Sequence, residues 1–361
     1  MKLLYIVPTI KNADGVARVL SVKANYFIEH FNYEVHILSQ NENDELPFYD
    51  FNSNVVFHSI ELKGNAFKFL KSYQKQINQK IQEINPNVIL VADNGLKGFA
   101  FPFLIRTKSP IILECHSSKF IEEKQQKSGF LSKLVSRIKY RFKDFGAQNF
   151  TQVVVLSYEN SNEWNAKNVV VIPNPSWVKT EETASLQNKK VIAVARNSYE
   201  KGLDRLLPIW AKVNEKHSDW VLDIYTNETD SLKKEIIRLG LSSRISFFSF
   251  KKSIESIYLE ASIYVITSRF EAFSMTLIEA MSFGLPCIAY DGSAGPRSII
   301  NNETNGFLVP DGNIALFAEK ISVLIENENL RKQLGSNAKE SMQLYEIDAV
   351  MEKWKKLLES L

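Results

Sequence analysis

The chain alternates short apolar runs with longer amphipathic stretches, and this alternation limits its fold more than any other feature. The runs are rich in Val and Ile and cover residues 3–7, 33–39, 54–60, 87–92, 110–116, 151–157, 190–195, 220–226, 244–248, 262–268 and 285–290. Near-continuous apolar runs between helical segments indicate strands that are buried on both faces, which is typical of parallel βαβ sheets. The sequence therefore predicts an α/β protein with doubly wound parallel sheets.

A proline-containing linker divides this alternation into two parts. Residues 172–177 read IPNPSW and precede a hydrophilic run, after which the strand–helix pattern starts again. At about 100–200 residues per domain, 361 residues predict two domains. We expect an N-terminal domain over 1–173, a second domain over 174–345, and an amphipathic helix over 346–361 that packs back on the first domain. Doubly wound sheets bind ligands beyond the carboxyl ends of their strands, so the expected site is a cleft between the domains.

Composition excludes several classes of protein. With 45% apolar and 24% charged residues, the chain has the make-up of a globular protein and not of a disordered or fibrous one. Cys115 and Cys287 are too few for a disulfide framework or a four-thiolate zinc site, and they fit a reducing compartment. The first residues lack a signal-peptide core, and no run of about 18 apolar residues occurs. The expected location is therefore cytoplasmic.

Several common enzyme motifs are missing. The sequence has no G-x-G-x-x-G fingerprint, no phosphate loop, no G-x-S-x-G nucleophile elbow and no D-x-D pair for a metal–diphosphate complex. Its five histidines fall in no metal-ligand spacing. We therefore expect chemistry without a metal ion or a bound cofactor. Nucleic acid is not expected as a partner, because the one basic stretch of the chain, residues 127–143, lacks a reading motif.

The second half of the chain carries one dense group of signals. A predicted strand ends at Ser268, the following loop holds Glu271, and a helix is expected over residues 275–283. Ser274 is suited to the N-cap of that helix and Gly284 to the position just after its end. Such an arrangement presents the start of a helix at the carboxyl end of a strand.

The start of this predicted helix can bind an anion. The free backbone amides of Met275 and Thr276 would point toward a diphosphate. Glu271 before the helix and Glu279 one turn inside it are acceptors for the paired hydroxyls of sugars on either side of that diphosphate. Two glutamates eight residues apart arise easily by chance. The interpretation therefore depends on the predicted strand, N-cap and glycine that surround them.

These residues belong to a longer pattern. Residues 271–286 fit E-G-F-x-M-x-L-x-E-A-M-x-x-G-x-P at every fixed position except Ala272. Arg196, Lys201 and Gly202 fit an R-x-x-x-x-K-G motif after the first strand of the second domain. In these motifs, and in the order of its elements, the chain resembles the retaining glycosyltransferases of family 4. The resemblance implies a GT-B fold, with two Rossmann-like domains facing a central cleft. It also implies that a sugar is transferred from a nucleotide diphosphate sugar with retention of configuration.

The resemblance also assigns roles in the second domain. Arg196 and Lys201 would contact the donor's phosphates and stabilise the charge that develops on the departing diphosphate. Glu279 would bind the ribose and Glu271 the transferred sugar. The remaining donor contacts would come from the backbone of Ser274, Met275 and Thr276 and from an apolar or stacking wall that includes Phe248 and Phe250. Two positions depart from the family: Ala272 replaces a usual glycine, and Ser298 replaces a common acid, so the resemblance does not define the donor sugar.

In the first domain the family's glycine-rich loop corresponds to residues 9–20. Gly15 permits a close backbone approach to the diphosphate. Asp14 stands where a second glycine is common, and because its charge would repel phosphate we expect it to face the acceptor. The alternative is an ordinary turn between a strand and a helix.

Three more residues of the first domain follow predicted strands. His116 matches a position where the family often has an active-site histidine, and it could donate to the sugar or the reaction centre. Asp93 and Asn94 are candidate ligands of acceptor hydroxyls. A structural role is the alternative for each. No residue stands out as a covalent nucleophile, so the resemblance implies front-face displacement, with the leaving phosphate taking the acceptor's proton.

Residues 127–143 form a basic amphipathic segment. They contain six Lys and Arg and no acid, so the rest of the chain is net negative. Leu131, Val135, Ile138 and Phe142 recur at helical spacing. Such a helix is typical of binding to an anionic membrane surface, here the inner face of the plasma membrane. The alternative is a helix with its apolar side in the core and a solvated cationic side.

Three functions are compatible with these observations. The first is a transferase that moves a sugar from a nucleotide diphosphate sugar, with UDP the expected nucleotide, to a glycan or lipid-linked acceptor in bacterial surface polysaccharide or lipopolysaccharide synthesis. The second is a sugar-nucleotide 2-epimerase of the same fold. The third is a non-catalytic partner subunit of a transferase, which predicts eroded site residues.

Overall fold

The computed structural model describes residues 1–12, 14–42, 46–63, 66–120, 130–250 and 255–361, and for 66–67 and 130–132 it describes the backbone alone. The chain divides into two units. The first comprises Met1–Pro175 together with Ile347–Leu361, and the second comprises Ser176–Glu346.

The first unit alternates strands with helices. Its elements are β1 (Lys2–Ile6), α1 (Gly15–Phe31), β2 (Glu34–Gln40), β3 (Val56–Ile60), α2 (Ala66–Ile84), β4 (Val88–Val91), α3 (Leu96–Leu104), β5 (Ile111–Cys115), α4 (Phe130–Ala147), β6 (Gln152–Val155), α5 (Tyr158–Ser161) and β7 (Val169–Val171), with the C-terminal helix Ile347–Glu359 added at the end of the chain.

The strands of this unit form one parallel sheet in the order β3-β2-β1-β4-β5-β6-β7. The order reverses between β1 and β4, which is the switch point where doubly wound sheets bind ligands. One face packs against a cluster that includes Phe27 of α1 and Trp354 of the C-terminal helix. The other face packs against a second cluster, which includes Tyr73 of α2 and Phe99 of α3.

The second unit repeats the alternation. Its elements are β8 (Lys190–Val194), α6 (Leu203–Asn214), β9 (Val221–Tyr225), α7 (Asp230–Arg238), β10 (Ile245–Phe248), α8 (Glu255–Leu259), β11 (Ile263–Ile266), α9 (Met275–Ser282), β12 (Cys287–Asp291), α10 (Ala294–Ile299), β13 (Gly306–Pro310), α11 (Ile314–Glu326), α12 (Glu328–Ser341) and a 3-10 turn over Met342–Tyr345. The C-terminal helix is accordingly α13 (Ile347–Glu359).

The second sheet is also parallel, with the order β10-β9-β8-β11-β12-β13. Its switch point lies between β8 and β11. The core of the unit is built around Trp210 of α6 and Phe317 of α11. Within the described ranges, no helix is long and apolar enough to cross a membrane.

The predicted strands and the α/β class are confirmed, and two strands were missed. Each of the eleven apolar runs overlaps a strand, whereas β7 and β13 were not predicted. β7 has three residues and β13 begins at a glycine and ends at a proline, so neither has the length or composition of a typical strand. Both lie at the edge of their sheet, where pairing on one side suffices to order them.

Candidate active site

The topology of the second unit brings together residues that are about 70 positions apart. β8 and β11 are neighbours in the sheet, with Val191 opposite Ile263. The R-x-x-x-x-K-G loop follows β8, and the loop holding Glu271 follows β11. Because the carboxyl ends of parallel strands share one edge of the sheet, both loops lie at the switch point.

Lys201 and Glu271 form an ion pair at this edge. The Lys201 ammonium donates to both carboxylate oxygens, at 2.7 and 2.9 Å, and Ser268 Oγ donates to Oε2 at 3.1 Å. Glu271 is 8% exposed. A buried carboxylate needs such partners because burial without them is costly. The pair thus holds a charged acceptor and a charged donor side by side.

Two glycines make this packing possible. Gly202 has φ +63°, and a Cβ there would lie 2.3 Å from the Thr267 carbonyl oxygen. Gly295 donates its N–H to the Glu271 carbonyl at 2.7 Å, and a Cβ there would lie 2.9 Å from Glu271 Cγ. Neither position has room for a side chain, so the loops carrying Lys201 and Glu271 can pack this closely only because Gly202 and Gly295 are glycines.

The departures from the family lie close to this pair. Ala272 directly follows Glu271 and is buried. Ser298 is in α10, where its hydroxyl donates to the Gly295 carbonyl at 2.8 Å. Ser298 therefore makes a local helix bond with the backbone.

Helix α9 begins where the sequence predicted. Ser274 occupies the N-cap position and Gly284, with φ +75°, follows the end of the helix. The Ser274 side chain makes no capping hydrogen bond and is buried. The first amides of a helix have no acceptor within it. The backbone of Met275 and Thr276 at the start of α9 therefore suits an anion.

Glu279 is held by a tyrosine that the sequence analysis missed. The Tyr258 hydroxyl of α8 donates to Glu279 Oε2 at 2.6 Å, and both side chains are buried. Burial and the nearby Glu279 raise the pKa of Tyr258, so it remains a donor at neutral pH. This bond fixes the direction in which the carboxylate presents its remaining lone pairs.

The other predicted donor residues of the second unit lie at the surface. Phe248 and Phe250 are 40% and 43% exposed, and Tyr225 stacks on Phe248 with ring centroids 5.1 Å apart. Arg196 is exposed as well. These side chains are available to a ligand and are not part of the core.

In the first unit, the loop after β1 is hydrogen-bonded to a carboxylate of the same unit. Glu42 accepts hydrogen bonds from the amide of Ile10 at 3.1 and 3.2 Å and from the hydroxyl of Thr9. Asp14 is the N-cap of α1 and accepts from Ala17 N at 2.8 Å. Gly15 starts the helix, and a Cβ there would meet no described atom within 4 Å. The space beside Gly15 is therefore open.

Asp93 and Asn94 take part in the local structure after β4. Asp93 Oδ1 accepts from Gly95 N at 3.0 Å and Oδ2 lies 3.2 Å from the Lys97 ammonium. Asn94 donates to the Glu114 carbonyl and accepts from the His116 amide, both at 2.7 Å. Asn94 thus joins the ends of β4 and β5 and fixes the backbone of His116.

A buried ion pair lies next to His116. Lys23 of α1 donates to Glu114 Oε2 of β5 at 2.7 Å, and His116 Nε2 lies 3.3 Å from the same oxygen. The Lys23 ammonium also sits 3.6 Å from the ring centroid of Trp354 in α13. Burial would raise the pKa of Glu114, but Lys23 and His116 lower it to about 2.

The sequence analysis missed Lys23, Glu114 and Trp354. One signal was present, because Glu114 stands inside the apolar strand IILEC and a carboxylate there needs a cation. Nothing in the sequence identifies that cation, since Lys23 is 91 positions away. Tyr258 and Glu42 carried no comparable signal.

Helix α4 turns Leu134, Val135 and Ile138 outward, whereas Phe142 packs against the core of the first unit. We name the α4 outer face for the exposed side chains Lys133, Leu134, Val135, Arg137, Ile138, Arg141 and Phe145. Ile138 is 61% exposed, whereas Lys143 is buried on the opposite side and its ammonium lies 5.6 Å from the Phe99 ring centroid. Lys143 was expected on the cationic surface, and that expectation is wrong. Lys127 lies outside the described residues.

The described residues contain no group of three or more His, Cys, Asp or Glu side chains placed to hold a metal ion. The charged groups of the two units are instead arranged in pairs. Lys201 pairs with Glu271 and Lys97 with Asp93, and the Lys23–Glu114 pair lies next to His116.

Both units match models of glycosyltransferase families. Residues 178–341 match the model described as glycosyl transferases group 1, and residues 16–154 match the model described as glycosyl transferase 4-like. Together these matches take in most of the chain.

Individual proteins agree with these matches. The amylovoran biosynthesis glycosyltransferase AmsD of Erwinia amylovora is 28% identical, with 99% of each chain covered. An α-1,4-N-acetyl-D-galactosaminyltransferase of Campylobacter jejuni, named for a diNAcBac-PP-undecaprenol substrate, is 23% identical, covering 99% of this chain and 98% of the relative. The crystal structure of Anabaena HepE with UDP and glucose superposes with a TM-score of 0.79 at 18% identity, covering 100% of both chains.

Two parallel α/β units, with glutamates and cations at the switch point of the second, define a GT-B glycosyltransferase fold. Its first unit matches the glycosyl transferase 4-like family and its second unit the group 1 glycosyl transferases, so the chain is a glycosyltransferase of this fold.

Proposed function

We propose that the protein is a metal-independent, retaining glycosyltransferase that uses a UDP-sugar and builds a bacterial surface polysaccharide or lipopolysaccharide. The observation that carries this proposal is the Lys201–Glu271 pair beside the start of α9. At one switch point, this arrangement brings together a cation, a carboxylate that can accept hydrogen bonds from sugar hydroxyls, and the backbone amides at the start of a helix. AmsD, named for amylovoran biosynthesis, and the UDP-bound HepE structure support the product class and the nucleotide.

The proposed roles follow from the contacts of each side chain. The second unit would bind the donor, with the diphosphate at the amides of Met275 and Thr276 and at the cations Arg196 and Lys201. Lys201 would stabilise negative charge on the leaving diphosphate, and a fixed cation is worth most where the charge develops. Glu279, oriented by Tyr258, would accept from the ribose hydroxyls.

The proposed acceptor is a lipid-linked or membrane-borne glycan, bound by the first unit. The alternatives are less well supported by the site. A non-catalytic subunit predicts loss of the charged residues, yet Arg196, Lys201, Glu271 and Glu279 are all present. A 2-epimerase would need no acceptor and no membrane, and the α4 outer face gives the first unit an apolar surface that such an enzyme does not require.

A panel of UDP-, GDP- and ADP-sugars tests the donor. A nucleotide sugar at 100 times its Kd stabilises the folded state by about 2.7 kcal/mol. For a unit of this size that is about 5–10 °C in Tm. We expect a UDP-sugar to give the shift with the wild type and not with Glu279→Gln, while Glu260→Gln, an exposed glutamate, behaves as the wild type. Absence of any shift by any nucleotide sugar would remove the main support for the proposal.

The α4 outer face supports attachment to an anionic membrane. Leu134 and Ile138 are 46% and 61% exposed and lie one turn apart, and Arg137 and Arg141 flank them. An apolar centre beside cations matches the acyl region and the charged headgroups of an anionic bilayer. A core helix would place its leucine and isoleucine inward, so this orientation favours the membrane over the solvated-face alternative.

Vesicle flotation tests the membrane attachment. Leu134→Ser with Ile138→Ser should weaken partitioning into phosphatidylglycerol vesicles by about 100-fold, because two side chains no longer enter the bilayer. Arg137→Gln with Arg141→Gln should weaken it by about 30-fold and reduce its salt dependence, at about 1 kcal/mol for each cation. Ile237→Ser on the exposed side of α7 is the matched control. Equal flotation of all variants and the wild type would contradict the attachment.

A further inference from the structure

The side chain of His116 is constrained from two directions. Its backbone N–H donates to Asn94 Oδ1 at 2.7 Å, and its ring nitrogen Nε2 lies 3.3 Å from Glu114 Oε2. Glu114 is 4% exposed at its side chain and His116 is 7% exposed. Neither the backbone nor the ring of His116 can therefore turn freely.

Glu114 is itself fixed by a cation and a ring. The Lys23 ammonium donates to Glu114 Oε2 at 2.7 Å, and the Lys23 side chain is 1% exposed. It also faces the ring of Trp354, at 3.6 Å, and more distantly that of Tyr5, at 5.5 Å. An ammonium removed from water in this way depends on its carboxylate and on the aromatic faces around it. Glu114 is therefore an ionised acceptor with little freedom.

The other ring nitrogen of His116 has no partner among the described residues. Nδ1 is buried and makes no hydrogen bond within the described part of the chain. In a neutral imidazole, the nitrogen that faces a carboxylate carries the proton and the other nitrogen is an acceptor. A buried acceptor without a donor costs about 1–3 kcal/mol, so a partner from outside the protein is expected at Nδ1.

We propose that Lys23 and Glu114 are positioning residues that keep the proton of His116 on Nε2, so that Nδ1 accepts a hydrogen bond from a sugar hydroxyl of the bound substrate. This differs from the expectation that His116 donates to the sugar. The identity of the hydroxyl donor rests on the proposed glycosyltransferase function. The tautomer and its control by the ion pair rest on the first unit alone.

The tautomer can be measured without any substrate. The protein with 15N-labelled histidine gives nitrogen resonances that distinguish a protonated Nε2 from a protonated Nδ1, and His116→Gln identifies the signal among the five histidines. We expect His116 of the wild type in the Nε2–H form. In the double variant Lys23→Met, Glu114→Gln, which leaves no buried charge unpaired, we expect a mixture of both forms. A wild type with the proton on Nδ1, or a double variant with an unchanged spectrum, would overturn the proposal.

A matched control is available in the second unit. His217 Nε2 lies 3.3 Å from Glu326 Oε1, the same separation as in the His116 pair, but that carboxylate is 63% exposed. Glu326→Gln should leave the His116 signal and the transfer rate as in the wild type. Any effect of the double variant then belongs to the buried pair and not to the loss of a glutamate beside a histidine.

Substitutions of His116 test the acceptor role of Nδ1. The side-chain amide of Asn reaches the position of Nδ1 and can accept there, whereas that of Gln reaches the position of Nε2 and bonds to Glu114 instead. We expect His116→Gln to lower kcat about 100-fold, His116→Asn to retain about tenfold more activity than Gln, and both to bind UDP like the wild type. Equal loss in both variants would refute the acceptor role, even with the tautomer confirmed. Failure of UDP binding in the wild type would refute the donor assignment and leave the tautomer result standing.

Discussion

At the scale of single residues, charges determine which groups can be buried beside a ligand. Glu271 is buried with Lys201 donating to both of its oxygens, and Glu114 is buried with Lys23. In each pair the cation both permits the burial and sets the direction of the carboxylate. Lys201 could be predicted from the R-x-x-x-x-K-G motif, since the motif fixes its spacing. Lys23 could not, because a lysine inside an amphipathic helix has no local signature.

Lys201→Met tests the residue at the centre of the proposed donor site. Loss of a fixed cation at the leaving group should lower kcat about 100-fold or more. Lys189→Met, at an exposed lysine that pairs with Asp219, is the control and should leave kcat unchanged. Transfer assays with the preferred nucleotide sugar give both values.

The same substitution has a separate effect on stability, because Glu271 then lacks its cation. Lys201→Met with Glu271→Gln should restore Tm and leave kcat low. A single variant whose kcat stays within threefold of the wild type would contradict the role of Lys201 at the leaving group.

At the scale of elements, two parallel strands and their glycines place the loops. β8 and β11 are adjacent, and Gly202 lets the loop after β8 lie against the end of β11. The strands, helix α9 and its caps could be predicted from local patterns, because a capped helix and a β-branched run have local causes. The direction of α4 could not, since its amphipathic pattern fits burial of either side.

Gly202→Ala tests whether the loop after β8 needs its close contact with the end of β11. The alanine would hold a left-handed φ of +63° with its Cβ 2.3 Å from the Thr267 carbonyl. We expect a loss of about 3 kcal/mol, or about 6–12 °C in Tm, from the strain and the clash together.

Gly240→Ala separates strain from clash. Gly240 has a similar φ of +68° but no described atom within 4 Å of its added Cβ. It should cost only about 1 kcal/mol, or about 2–4 °C. Equal effects of the two substitutions in differential scanning calorimetry would show that the contact with Thr267 does not matter.

At the scale of the whole molecule, each unit has its own core and its own buried glutamate that is paired with a lysine. The C-terminal helix α13 returns to the first unit and contributes Trp354 to the core that encloses Lys23. The last residues of the chain therefore support a group next to His116. Two units with separate cores predict two steps in unfolding, one for each unit.

Acid should weaken the first unit through Glu114. The pKa of Glu114 is lowered to about 2 in the folded protein, so the ion pair contributes stability above the unfolded pKa and loses it as pH falls from about 5 toward 2. The contribution is about 3 kcal/mol, or about 6–12 °C in the Tm of this unit. Calorimetry between pH 6 and pH 2 measures it.

The neutral pair provides the reference for this measurement. In Lys23→Met, Glu114→Gln, the transition of the first unit should fall less steeply with acid than in the wild type. A UDP-sugar should raise the Tm of the second unit, which is the transition that Gly202→Ala should lower. Parallel acid slopes in wild type and double variant would contradict the assignment of the acid effect to Glu114.

The sequence by itself determined the α/β class, most of the strands, helix α9 and the glutamates around it, because these depend on local patterns of apolar, capping and charged residues. Only the tertiary structure decided which charges meet, how Tyr258 orients Glu279, and which side of α4 is exposed. Such contacts join residues far apart in the chain, and their energies depend on burial. Burial is a property of the folded molecule and is not encoded in any short segment.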